Sequence, residues 1–181
     1  IVAKVVQFHN QNGGMSRYEK FRYYYARVLH QELTPQIMTE LGERFNVLVK
    51  EAVIAAPLVR GIEEVLDFCH QRYPLHIVSG TPEEEMKEIV LRRGMQRYFS
   101  SVNGSPTAKA AHLKRILDQT PCRPHEMIFI GDSLNDQEAA AATGVRFIGR
   151  GSPQDFPQRT PERCIADFAG FTSYLDDKET A

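Results

Sequence analysis

Two aspartates four positions apart, Asp132 and Asp136, follow an apolar run in "IFIGDSLNDQEAAAATG". Carboxylate oxygens suit Mg²⁺, which takes one or two protein carboxylates and completes its shell with water and substrate phosphate. An acidic turn that caps the following helix is the other reading of the same residues. Ser79, with Gly80 and Thr81, directly follows "LHIV". Its hydroxyl and the next backbone N–H groups lie at a helix start, where a phosphate oxygen is favoured; a plain N-cap by Thr81 also explains them. Lys109 stands in "GSPTAKAAHLKRIL", in the first turn of a helix and facing the unfavourable end of its dipole. A bound anion supplies a reason for it there, and a solvated lysine is the alternative. Lys114, further along, fits a solvent face.

The elements that must position these residues alternate from about Pro57 onward. "GIEEVLDFCHQR" reads as an amphipathic helix with Ile62, Val65, Leu66 and Cys69 on one face. "LHIVSG" reads as a strand ending in Gly80. "TPEEEMKEIVLRRG" reads as a helix with Thr81 as cap, Pro82 in its first position and Gly94 as stop. "AKAAHLKRILDQ" is a further helix, "MIFIG" a buried strand, "QEAAAATG" a small-residue helix closed by Gly144, and "VRFIG" the next strand. Strands alternating with helices predict βαβ units and a parallel sheet. Ligands of such sheets bind beyond the carboxyl ends of the strands, where all three candidates fall.

Residues 1–55 read as helical instead. "SRYEKFRYYYARVLHQ" carries a capping-box pair, Ser16 and Glu19, and a stripe of Tyr18, Phe21, Tyr25 and Val28. "TPQIMTELGERFNVLVK" opens on Thr34 and Pro35 and carries Ile37, Leu41, Phe45 and Leu48 at helical spacing. Both stripes predict core-facing helices. The expected organisation is a partial α-helical cap over 1–55, an α/β core over 56–175 and a flexible tail over 176–181. Residues 151–164 read as a loop.

The 181 residues carry 42% hydrophobic and 25% charged side chains and a formal net charge of −1. That balance gives no general attraction to nucleic acid or to an anionic membrane. No apolar run approaches the roughly 18 residues of a membrane span. The three cysteines, Cys69, Cys122 and Cys164, are scattered and odd in number. With no signal-peptide pattern at the start, they suggest reduced thiols in a cytoplasmic protein.

The three candidates also occur in a telling order. "HIVSGTP", "GSPTAK" and "IFIGDSLNDQEAA" resemble the second, third and fourth motifs of the haloacid dehalogenase (HAD) superfamily of phosphatases, and "FHNQNGGMSRYEKFRYYYARVL" is similar to cap sequences in that superfamily. The resemblance covers roughly residues 8–175. It implies a Rossmann-like parallel sheet with helices on both faces, a small helical cap, and Mg²⁺-dependent hydrolysis of a small phosphate monoester through an aspartyl-phosphate. Ser79 and its neighbours Gly80 and Thr81 then hold a phosphoryl oxygen, and Lys109 neutralises charge. Asp132 anchors Mg²⁺, and Asp136 ligates it through water or orients Lys109. "NQNGGMSRYEK" is then the specificity loop, with Arg17 or Lys20 meeting an anionic leaving group, or forming a solvated face.

One part of the resemblance is missing. The family's first motif, D-x-D-G-[TV], supplies the nucleophile and the general acid/base, yet the first aspartate here is Asp67, inside a helix. Family order puts that motif upstream of the cap, so the expectation is a chain shortened by some tens of residues. The missing strand is central in the family's sheet, between those ending at Ser79 and Gly131, which leaves two open edges. The chain alone is therefore expected to fold poorly and to be inactive. Other readings remain: a phosphomutase or phosphonatase of the same superfamily, or a non-catalytic module that binds phosphate or a partner. A dehalogenase fits less well because its chemistry needs no metal carboxylates. A dinucleotide fold is weakest, since no G-x-G-x-x-G follows a strand. Phosphoglycolate, sugar phosphates and nucleotide monophosphates are all candidate substrates.

Overall fold

The computed structural model describes residues 1–156 and 160–179. The helical part comprises α1 (Val2–Gln11), α2 (Arg17–Tyr23), a π-helical turn over Tyr24–Leu29 and α3 (Pro35–Ala55). Ser16 and Glu19 form the expected capping box on α2. Thr34 accepts from the Ile37 N–H at 3.3 Å to start α3, with Pro35 in its first turn. The tyrosine stripe of α2 packs on α3, where the Tyr18 ring lies over Gly42 and Phe21 meets Phe45 edge-on. Leu48 departs from its predicted stripe. It is 76% exposed, because α3 turns its Gly42, Phe45 and Asn46 side toward the rest of the molecule and leaves Val47 and Leu48 outside.

The core follows the predicted alternation: α4 (Ile62–Cys69), β1 (His76–Pro82), α5 (Glu83–Arg92), β2 (Ser101–Ser105), α6 (Lys109–Gln119), β3 (Ile128–Gly131), α7 (Leu134–Thr143), β4 (Arg146–Arg150), β5 (Arg163–Ile165) and α8 (Phe171–Glu179). All strand pairs are parallel, β1 with β2, β3 with β4 and β4 with β5. Val65 and Cys69 of α4, Ile148 of β4, and Phe168 and Phe171 near α8 form the main buried cluster, with Ile128, Ile130 and Ile165 against it. Apolar side chains at alternate strand positions put the β3–β4–β5 sheet under α4 and α8. Helices α5 and α6 pack on the β1–β2 pair, and α7 packs on β3 and β4.

Three boundaries differ from the sequence reading. Strand β1 runs on to Pro82, which pairs with Ser105 beyond an irregular register, so Thr81 lies in the strand and Pro82 takes the N-cap position of α5. The predicted loop 151–164 contains a 3₁₀ turn at Pro153–Asp155 and the start of β5, which borders β4. Residues 176–179 of the predicted tail continue α8; the tail's 180–181 lie outside the described residues.

The strands form two separate sheets, β1–β2 and β3–β4–β5. The inner edges of β1 and β3 have no strand partner among the described residues.

The helical part meets the α/β part along α5. Lys50 binds Glu88 at 2.8 Å, Glu51 binds Arg92, and the Arg93 guanidinium donates to the Val53 and Ile54 carbonyls at 2.6 and 3.0 Å. No described helix is long and apolar enough to cross a membrane.

Candidate active site

The ends of β1 and β3 and the start of α6 border one cavity of about 310 Å³, lined by Ser79, Gly80, Lys109, Asp132, Asp136 and Arg150 among others. The Ser79 hydroxyl accepts the Thr81 N–H at 3.1 Å, which orients its oxygen and leaves its proton free to donate. Lys109, 8% exposed, does not point to solvent. Its ammonium donates to Asp136 Oδ1 at 2.6 Å. The opposite carboxylate oxygen accepts the Ser133 hydroxyl at 2.5 Å and the Ser133 N–H at 3.2 Å, while Ser133 in turn caps α7 by accepting the Asp136 N–H. An ammonium has three donors, so two remain for a ligand. With both its oxygens engaged, Asp136 holds Lys109. Asp132 is the freer carboxylate, 62% exposed at its side chain and 3.9 Å from Arg150.

The loop between α1 and α2 reaches down to this cavity. Gly14 has φ +72°, and a Cβ there would come within 2.7 Å of Lys109 Nζ and into the Ser133 hydroxyl. A Cβ on Gly80 would meet the Gly14 carbonyl oxygen at 2.6 Å. Only two glycines let the cap loop and the end of β1 approach so closely.

On the cap side of Ser79, Gly80 and Gly14 lies a second cavity of about 220 Å³, lined also by His9, Arg17, Lys20, Tyr24, Phe45 and Thr81. The Arg17 guanidinium is occupied: it donates to Asn46 Oδ1 at 2.7 Å and to Glu85 Oε1 at 2.8 Å, and lies 4.4 Å over the Phe45 ring. Lys20 is buried beside His9 Nδ1, 3.4 Å away. Burial pulls the Lys20 pKa down. Burial, and then the Lys20 charge, lower that of His9. The Tyr24 hydroxyl is pushed up by burial.

A family model described as haloacid dehalogenase-like hydrolase matches residues 5–150. The chain belongs to the haloacid dehalogenase-like hydrolases. It is 27% identical over 154 residues to a phosphoglycolate phosphatase of Haemophilus influenzae, covering 79% of this chain and 69% of that one. It is 30% identical over 125 residues to a phosphoglycolate phosphatase of Pectobacterium atrosepticum, covering 65% of this chain and 53% of the relative. Among solved structures, a predicted phosphoglycolate phosphatase from Haemophilus somnus superposes with a TM-score of 0.72 at 20% identity, over 92% of this chain and 80% of that one. The β-phosphoglucomutase of Clostridium difficile gives 0.76 at 14% identity, over 97% and 82%. These two likenesses show the fold.

In this haloacid dehalogenase-like hydrolase, Ser79, Gly80, Lys109, Asp132 and Asp136 line one cavity, while Thr81 and Arg17 line its neighbour. Ser133 was missed by the sequence reading, although Ser133 and Asp136 have capping-box spacing and could have been found that way. Arg150 was missed too, as the last residue of a strand that ends near Asp132. Glu85, the partner of Arg17, gave no signal, because it stands 68 positions away in a run of three glutamates.

Proposed function

We propose that this protein is a Mg²⁺-dependent phosphatase that hydrolyses a small phosphate monoester, of phosphoglycolate or sugar-phosphate type, through an aspartyl-phosphate. The observation that carries the reading is the convergence of Ser79, Lys109 and Asp132 on one cavity, with Lys109 fixed at 2.6 Å from Asp136. The phosphoglycolate phosphatase names of the relatives support the substrate class.

The donor set fits the metal in part: among the described residues no group of three or more candidate ligands occurs, but Asp132 offers hard carboxylate oxygens beside the phosphate cavity. Magnesium is commonly held by one or two carboxylates and the substrate's phosphate. Asp132 is the residue that would hold it. When bound, it supplies charge that stabilises the phosphoryl group.

This chain's own residues then do the following. Ser79 donates its hydroxyl proton in a hydrogen bond to a phosphoryl oxygen. Lys109 places two N–H donors and a positive charge beside the same group. Ser133 and Asp136 keep that ammonium in place at no cost in reorganisation, which is how positioned charges speed phosphoryl transfer. The attacking aspartate is not one of these residues. Asp136 is tied to Lys109 and Ser133 through both its oxygens, and Asp67 pairs with Tyr98 and Arg97 away from the cavity. In the attack a carboxylate oxygen bonds to phosphorus as the ester P–O bond breaks and the alcohol leaves, its oxygen taking a proton from solvent; water then attacks the phosphorus, the P–O bond to the carboxylate breaks, and phosphate and the free carboxylate are released.

The scattered cysteines Cys69, Cys122 and Cys164 are consistent with a reducing compartment such as the cytoplasm. The test is an assay of the protein from its complete reading frame against a panel of phosphate esters, with Mg²⁺ and with a chelator. Metal-dependent release of phosphate is expected. Absence of release from every ester sinks the proposal.

A further inference from the structure

One charged group of the phosphate cavity has no task in the proposed reaction. Arg150 ends β4, where Gly149 pairs with Gly131 of β3 and Arg150 itself pairs with Ile165 of β5. It stands one position past the pair that closes β3, across from Asp132. A Cβ on Gly149 would run into Phe156, so that face of the strand end is filled. Neighbouring strand positions point to opposite faces, and Arg150 borders the cavity together with Ser79, Lys109 and Asp132. Its guanidinium is poorly satisfied there. The one ion pair it makes among the described residues is with Asp132 at 3.9 Å, beyond hydrogen-bond reach. Its Nε is buried with no partner.

Lys109 is held differently. It lies 2.6 Å from a carboxylate whose two oxygens are both engaged. Arg150 and Asp132 are 40% and 62% exposed at their side chains, and so solvated a pair at that separation is weak. Asp132 is also the residue that would hold Mg²⁺, so guanidinium and metal compete for one carboxylate. A guanidinium that gives up Asp132 has a second acceptor in the same cavity, because its planar fork of donors matches phosphate oxygens. We propose that Arg150 is a second anion-binding cation of this cavity, one that exchanges Asp132 for a phosphoryl oxygen when a divalent metal takes that carboxylate. The inference rests on the phosphatase reading and adds to it a residue that couples metal to phosphate. Without metal, Arg150 neutralises Asp132. With metal, its charge joins that of Lys109 on the phosphoryl group. A plain surface ion pair is the other reading of Arg150, and it predicts no such coupling.

The test uses the protein from its complete reading frame and reads binding by calorimetry, first of Mg²⁺ alone and then of inorganic phosphate at saturating Mg²⁺. Arg150→Met should tighten Mg²⁺ binding by about threefold to tenfold, because a competing positive charge is gone. The same variant should weaken phosphate binding by at least about tenfold, because a charged donor is gone. The opposite signs are the signature, since damage to the fold weakens both. Arg150→Gln should repeat the result should Arg150→Met fail to fold. Arg150→Lys, which keeps the charge, should leave the Mg²⁺ constant near that of the wild type. A folded variant that does not tighten the metal, or that does not weaken phosphate, overturns the proposal. A wild type that binds neither Mg²⁺ nor phosphate and hydrolyses no ester of the panel overturns the phosphatase reading beneath it, a distinct result.

Discussion

Two buried ion pairs of nearly equal length hold this molecule together in different ways. Lys109 and Asp136 meet at 2.6 Å and Arg17 and Glu85 at 2.8 Å, and all four side chains are about equally buried. The first pair joins the starts of α6 and α7, two elements seated on the core sheets. Both oxygens of its carboxylate are engaged, because Ser133 takes the one that Lys109 does not. The second pair joins α2 of the helical part to α5. Its carboxylate is not saturated: Glu85 Oε2 is buried with no partner. Removing a charge from water is costly, and the cost is returned only when every lone pair is met. The Lys109 pair is therefore a fixed wall of the cavity that Ser79 and Asp132 line, and the Arg17 pair is a link one hydrogen bond short between the helical part and the α/β part.

The largest effect expected from that contrast is on the Lys109 side. Lys109→Met removes the charge beside the phosphoryl group and strands Asp136 in a buried position. A fall in kcat of at least about a hundredfold is expected, measured on the best ester of the panel. Asp136→Asn should reproduce most of that loss, and the double variant should add little to it, as residues that act as one unit behave. Additive losses would show that Asp136 does something other than hold Lys109.

The Arg17 link comes next. Arg17→Met leaves Glu85 buried without a partner and should cost roughly 3 kcal/mol in chemical denaturation. Adding Glu85→Gln to it should recover a good part of that loss, since the stranded charge is what hurts. A double variant that is no more stable than Arg17→Met would show that the packing of Arg17 over Phe45 matters more than the pair. A smaller cost belongs to the loop between the two pairs. Gly14→Ala places a Cβ at φ +72° and against Lys109, for about 1–2 kcal/mol of backbone strain and a measurable drop in kcat. Full stability and activity in that variant would mean that the loop between α1 and α2 sits elsewhere in solution.

The contrast also explains what was legible in the sequence. Ser79, Lys109 and Asp132 could be read because each sits at a strand end or helix start, so local pattern placed them, and their order carried the family resemblance. The elements α4, α5, α6 and α7 were legible from apolar spacing and terminal signals. Strand β2, "SVNGS", was not, because it is buried through polar contacts: Asn103 donates to the Ile77 carbonyl and to Ser101 and accepts from Arg115. Hydropathy does not register a strand of that kind. Strand β5 is only three residues long and is defined by its neighbour β4. On α2 the most buried residues are its two cations, Arg17 and Lys20, not the aromatic stripe. A hydrophobic pattern reads them as a solvent face, and only the distant Glu85 and the cavity beside them reveal otherwise.

A third ion pair, on the surface, sets the lower end of the scale. Glu126 accepts from the Arg123 guanidinium at 2.9 Å and from the Arg123 N–H at 2.7 Å, in the turn before β3. The guanidinium hydrogen bond, then the backbone one, holds the Glu126 carboxyl down to about 2, against 4.5 for the free side chain. A carboxyl with a depressed folded-state pKa adds stability in full above its unfolded value, and the contribution fades as pH falls from 4.5 toward about 2. The pair is solvated, so the effect is small and salt weakens it. Glu126→Gln should therefore lower Tm slightly at pH 7, and the gap to the wild type should close on acidification through that window. If the gap widens there instead, the carboxylate is not what Arg123 stabilises. If at pH 7 it rivals the loss in Arg17→Met, burial is not what separates the two buried pairs from this one.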